Sequence, residues 1–155
     1  MQHALVSIQA EAFDPVADSR LLDDPRAGAQ ASFLGLVRAD GEGLQALELE
    51  HYPGMTEGAI EAMVAQAGQR FGLVGAIVRH RVGRLAVGEP IVWVLTAAPH
   101  RRAALDGCAF LIDYLKTQAP FWKKEHGLSG SQWVDAREAD DAALARWGIE
   151  GTNAG

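Results

Sequence analysis

The chain has 155 residues and a mass of 16.6 kDa, 48% hydrophobic and 22% charged, with a formal net charge of −6 at pH 7. A length within the usual range of about 100–200 residues indicates one domain, which buries roughly 70% of its unfolded surface and folds without a staple. The composition excludes a disordered chain, no apolar run approaches the ~20 residues that cross a bilayer, and the acidic balance excludes nucleic acid and an anionic membrane as main partners.

The opening residues MQHALVSIQAEAFDP lack the basic start and long apolar stretch of a signal peptide, so a soluble cytoplasmic protein is expected. From His3 to Ala10 the pattern alternates, with Ala4, Val6 and Ile8 on one side, as in a half-buried strand. A short stretch from Ala17 to Leu22, between Pro15 and Pro25, has room for one or two helical turns. Ala29 to Val37 reads as a strand, residues 39–43 as a turn, and Leu44 to His51 alternates again, which predicts a hairpin. Pro53-Gly54 stops it.

Thr56 is a good N-cap for a helix, with Glu57 in its first turn. Ala59, Ile60, Met63, Val64, Ala67 and Phe71 then recur at helical spacing until Gly72 closes the helix. Gly75 to Val82 and Pro90 to Ala97 are predicted strands joined by residues 83–89, the second apolar almost throughout and therefore central and covered on both faces. A second helix from His100 to Thr117 is expected to bury Leu105, Cys108, Ile112 and Leu115, and Pro120 marks its end. Gln132 to Ala136 has the makings of a last strand, Asp140 to Trp147 of a short helix, and residues 148–155 of a flexible tail. The order β, β-β, α, β-β, α, β indicates an α+β domain with a largely antiparallel sheet.

Several kinds of chemistry are missing. The chain has no Gly-Lys-Ser/Thr phosphate loop, no His-Glu-x-x-His and no Gly-x-Ser-x-Gly, and its histidines His3, His51, His80, His100 and His126 lack metal-ligand spacing. The single cysteine, Cys108, excludes an internal disulfide, and its place on an apolar helix stripe predicts inert core. The charge is uneven. All three lysines, Lys116, Lys123 and Lys124, lie within nine residues, and Pro99 to His126 carries +2 against −8 for the remainder. Such a basic island suits a small anionic ligand or an acidic tail, or else is a solvated helix face.

Pro99-His100-Arg101-Arg102 forms a strand-to-helix junction of the kind that presents backbone N–H groups to anions, with Arg101 as a bidentate fork and His100 as a proton-moving donor. Lys116 lies at the far end of the same helix, ~24 Å away by helical rise. His100 and Lys116 therefore share a site only if the helix is shorter or bent, or if a second copy contributes. Between Lys116 and Lys123 a proline turn with Phe121 and Trp122 can fold back and set both ammonium groups around one opening. The alternative is two solvent lysines flanking a buried Phe-Trp anchor.

The segments FLGLVR (33–38), LELEHYPGMTE (47–57), HRVGRLAVGE (80–89), HRRAALDGCAFLIDYLKTQAPFWKKE (100–125) and WVDAREAD (133–140) resemble the catalytic large subunit of molybdopterin synthase. The resemblance runs from about residue 3 to residue 147 and implies one large-subunit domain, residues 1–147, of α/β hammerhead type. It also implies a central homodimer that binds two small ubiquitin-like sulfur carriers as a heterotetramer. The carrier's C-terminal Gly-Gly tail, activated as a thiocarboxylate, enters a pocket of the large subunit. Two sulfurs then pass to cyclic pyranopterin monophosphate, opening its cyclic phosphate and making the dithiolene of molybdopterin, with no cofactor or metal implied for this step. Carried over by motif, the key lysine falls on Lys116 in YLKT and its supporting lysine on Lys123 in FWKK. Arg38 in GLVR, His100, Arg101, Lys124, Glu125 and Arg137 in DARE fall on substrate-binding positions. Leu36, Pro99 and Gln118 depart from residues that relatives carry, and none of them holds a chemical role.

Overall fold

The computed structural model describes residues 1–39, 43–128, 130–134 and 145–148. Strand β1 (His3–Gln9) is followed by helix α1 (Pro15–Leu21), which starts where Asp14 accepts from the N–H groups of Val16 and Ala17 at 3.0 and 3.2 Å. Pro15 suits the first helical position because the missing N–H would have had no helical partner. Then come β2 (Ala29–Leu36), β3 (Leu44–His51), α2 (Met55–Phe71), β4 (Gly75–Arg81), β5 (Gly83–Ala86) and β6 (Pro90–Ala98). Helix α3 (Arg101–Thr117) leads to β7 (Phe121–Gly127) and β8 (Gly130–Val134).

The strands form two four-stranded sheets, in the orders β1-β4-β6-β2 and β5-β3-β7-β8. Among the described residues only the β1/β4 ladder is parallel, so the α+β class with a largely antiparallel arrangement stands, divided between two sheets. Strand β6 is central as its apolar sequence predicts, with eight of its nine residues buried. Its alternate side chains feed two cores. Val92 and Val94 face the larger one with Ile60, Val64, Phe110 and Leu111 of α2 and α3, while Trp93 and Leu95 pack with Leu22 and Ile77 on the opposite face. Thr96, fully buried on β6, donates to the Ala104 carbonyl at 2.7 Å and so ties α3 to the strand before it.

Four expectations are corrected. The hairpin over 29–51 does not form: β2 pairs with β6 and β3 with β5 and β7, in different sheets. Alternation identifies a strand but not its partner. The cap of α2 is Gly54 rather than Thr56; Gly54 takes φ +84° and starts the helix sooner, while Thr56, already helical, donates to the Pro120 carbonyl at 3.1 Å. Leu105 is exposed, because α3 buries a stripe of Ala104, Gly107, Cys108, Phe110, Leu111, Tyr114 and Leu115. Small residues set that stripe: a Cβ on Gly107 would stand 2.9 Å from a Leu73 methyl, so any larger residue there would force Leu73 to shift. Finally, residues 121–127 are a strand rather than part of a turn, and β5 lies within the predicted connection. The expected last strand overlaps β8, whereas most of the expected helix over 140–147 and residues 149–155 of the tail lie outside the described residues.

Candidate active site

The two sheets and α3 meet around a cleft of about 80 Å³. Leu36, Leu47, Ile91, Val92, Ile112 and Leu115 supply apolar walls, and Lys116, Lys123 and His80 supply the polar groups. Each comes from a different placement. Lys116 is the basic residue of the last turn of α3, where the helix dipole favours a cation. Lys123 stands on β7, opposite Leu49 of β3. Thr56 holds the Pro120 carbonyl against α2, and this fixes the path from the end of α3 into β7. Lys116 is exposed and Lys123 half-buried, so the predicted gathering of the two lysines at one opening is what the fold builds.

His80 is the cleft residue that the sequence reading left among scattered histidines. It is 6% exposed, its ring stacks on Phe121 at 4.1 Å, and its Nδ1 lies 2.9 Å from the Arg81 carbonyl oxygen. Burial, then the charges of Lys123, Lys116 and His51, press its pKa down to about 4 against the raising effect of that carbonyl. No sequence signal singles it out, since the stack joins residues 41 positions apart.

Next to the cleft, His51 Nε2 lies 3.1 Å from a Glu57 carboxylate oxygen, whose partner oxygen accepts from the Gly54 N–H at 2.6 Å. Burial raises the Glu57 pKa, but the backbone N–H groups of the helix start and His51 outweigh it, and the net shift is downward.

The other predicted site residues divide. Arg38 is exposed, two residues beyond Leu36 of the cleft wall. Glu125 shares the Lys123 face of β7 by alternation. Lys124 points the other way and sits 5.5 Å from the Trp133 ring. His100 and Arg101 are exposed at the start of α3, with no acidic residue in its first turn. They do not line the cleft: Ala29 pairs with Ala98 at their end of β6, and Leu36 with Pro90 at the lysine end. Most of the length of α3, from Arg101 to Lys116, separates the two groups. Arg137 lies outside the described residues.

Cys108 is buried, and burial pushes its thiol up to about 11, so it is a protonated part of the core. A larger, more open hollow of about 190 Å³ beside α1 is lined by Asp23, Asp24 and Gln30. Asp24 there is already paired with Arg26 at 2.7 Å and with His3 at 3.3 Å, so its charge is committed within the hollow. Among the described residues no three His, Cys, Asp or Glu side chains gather to hold a metal ion.

The family model described as "MoaE protein" matches residues 8–118. The chain belongs to the MoaE family. The MoaE match contains Arg38, His100, Arg101 and Lys116 and ends before Lys123. A relative called molybdopterin synthase catalytic subunit, from Cereibacter sphaeroides, is 53% identical over 144 residues, covering 92% of this chain and 99% of its own. The solved MoaE protein of Burkholderia ambifaria has a TM-score of 0.82 at 50% identity and covers 97% of this chain and 100% of its own. At 22% identity and a TM-score of 0.73, a chain from the complex of subunits 1 and 2 of the Helicobacter pylori molybdopterin-converting factor shares the MoaE fold, over 85% of this chain and 91% of its own.

Proposed function

We propose that this chain is the catalytic subunit of a molybdopterin synthase, a sulfurtransferase that works in the cytoplasm. It takes sulfur from the thiocarboxylated C-terminus of a small ubiquitin-like carrier and passes it to cyclic pyranopterin monophosphate. The observation that carries this reading is the cleft itself, which is narrow, apolar-walled and ends on Lys116 and Lys123. Such a slot admits a slender chain end without side chains, such as Gly-Gly, and two cations favour its anionic terminus. Low-dielectric walls make that attraction stronger than it would be in water.

In this reading Lys116 meets the thiocarboxylate, steers its sulfur and stabilises the charge that develops, with Lys123 in support. Arg38, Lys124, Glu125 and Arg137 serve the pterin substrate. His100 and Arg101 hold its phosphate by charge-assisted bonds, but α3 keeps them a helix length from Lys116. A second copy of the chain brings them to the site, which makes the working unit a homodimer, and a heterotetramer with two carriers. The first 147 residues are the catalytic domain and residues 148–155 a tail.

The test mixes purified protein, thiocarboxylated carrier and cyclic pyranopterin monophosphate, and quantifies molybdopterin as its fluorescent oxidised derivative. Wild type is expected to form product and Lys116→Ala to lose about a hundredfold or more. Carrier binding without product from wild type would replace the enzyme by a non-catalytic carrier-binding module.

A further inference from the structure

The lysine cleft contains a group that sulfur transfer, as set out above, leaves without a task. His80 is buried, yet its ring forms part of the cleft wall beside Lys116 and Lys123. The Arg81 carbonyl, 2.9 Å from Nδ1, can only accept, so Nδ1 carries the ring proton and Nε2 on the other side keeps its lone pair. Stacking on Phe121, with the ring planes 22° apart, fixes the orientation of that lone pair. Phe121 and Lys123 are two residues apart on β7 and leave the same face of the strand. The strand face that clamps the imidazole therefore also delivers the lysine.

We propose that His80 is a positioning residue for the lysine pair: its unprotonated Nε2 accepts a hydrogen bond from the Lys123 ammonium and holds that cation beside Lys116 during catalysis. The inference rests on the lysine cleft being the sulfur-transfer site. Its physical point is the neutrality of the acceptor. A carboxylate in this position would orient the ammonium equally well but would cancel its charge and repel an anionic chain end. A neutral nitrogen orients it without adding a compensating negative charge.

The surroundings maintain that neutrality. Among the described residues, the ionisable groups that act on the ring are Lys123 on β7, Lys116 on α3 and His51 on β3, the last with its partner Glu57 on α2. The Arg81 guanidinium is turned away, toward the Ala10 carbonyl and Glu89. Burial and the two ammonium groups all disfavour the imidazolium, and the pKa near 4 agrees with this.

The chain has only three lysines, so 13C-lysine labelling gives three side-chain signals, assigned through Lys→Arg variants. The full-length protein is titrated as wild type, His80→Gln and His80→Met. In wild type the Lys123 signal is expected to show an acid inflection, arising from His80, that both variants lack. The Lys123 ammonium is expected to titrate about one unit lower in the Met variant, where the acceptor is lost, and near its wild-type position in the Gln variant. Turnover with carrier and pterin should fall about ten- to hundredfold in kcat for Met with KM little changed, and by less than about fivefold for Gln. A Lys123 signal indifferent to residue 80, or a folded Gln variant as impaired as Met, would overturn the proposal. If the Met variant does not fold, the inflection in wild type against Gln decides alone. Absence of turnover in wild type would overturn the sulfur-transfer reading, while the titration would still report on the His80–Lys123 contact.

Discussion

Helix α3 begins at Arg101 and ends one residue beyond Lys116, and its rise puts the two about 23 Å apart in one protomer. Neither side chain can span that gap, so a site that uses both must draw Arg101 from one copy and Lys116 from another. Mixed protomers test this. Lys116→Ala and Arg101→Ala are made separately, co-refolded in equal amounts and assayed for molybdopterin at limiting pterin, where each variant alone is nearly silent. Random pairing makes half of the dimers mixed. In a two-fold dimer each mixed pair has one site with both residues intact and one with neither, so activity recovers to about one quarter of wild type. Sites built within one protomer give no recovery, because every site then lacks one residue. A mixture no more active than its components would refute the shared-site geometry.

Other expectations follow from the core. Asp18 is 4% exposed and accepts from Arg79 Nε at 2.6 Å and Nη2 at 2.8 Å. Asp18→Asn leaves the arginine uncompensated, although Gln9 remains within 3.3 Å, and should cost about 3 kcal/mol in urea unfolding, or about 6–12 °C in Tm. A loss below about 1 kcal/mol would show the pair to be dispensable. The folded pKa of His80 lies below its ordinary 6.5, so the unfolded chain binds the proton more tightly. Stability is then full above about pH 6.5 and falls by about 3 kcal/mol as the pH drops toward 4. Urea curves at about pH 7.5 and 4.5 should show a smaller difference for His80→Gln, and equal differences would contradict the burial argument. Cys108, buried with its thiol raised to about 11, should resist iodoacetamide at neutral pH, and Cys108→Ala should leave turnover unchanged. Rapid alkylation of folded protein, followed by mass spectrometry, would contradict its place in the core.

What could be read without coordinates was local. Alternation identified β1 and β3, three- and four-residue spacing identified α2, and a nearly continuous apolar run marked β6 as doubly covered, because these patterns are set by backbone geometry. The lysines and the His100-Arg101 junction were visible as chemistry, and helical rise alone exposed the distance between them.

Partners in space were not visible. Strand β7 (Phe121–Gly127) carries Lys-Lys-Glu-His, with no apolar alternation, and is a strand because β3 and β8 pair with it on either side. The 29–51 segment looks like a hairpin, but its two strands find better-matched ladders in separate sheets. The buried face of α3 was misjudged at Leu105 because the smallness of Ala104 and Gly107, more than the size of their neighbours, decides how closely the helix packs. His80 gains its significance only where Phe121, Lys116 and Lys123 converge on it. Local sequence pattern determines most of the helices and strands and which charges are available. The tertiary structure decides which of those charges meet, because pairing and close approach depend on residues far apart along the chain.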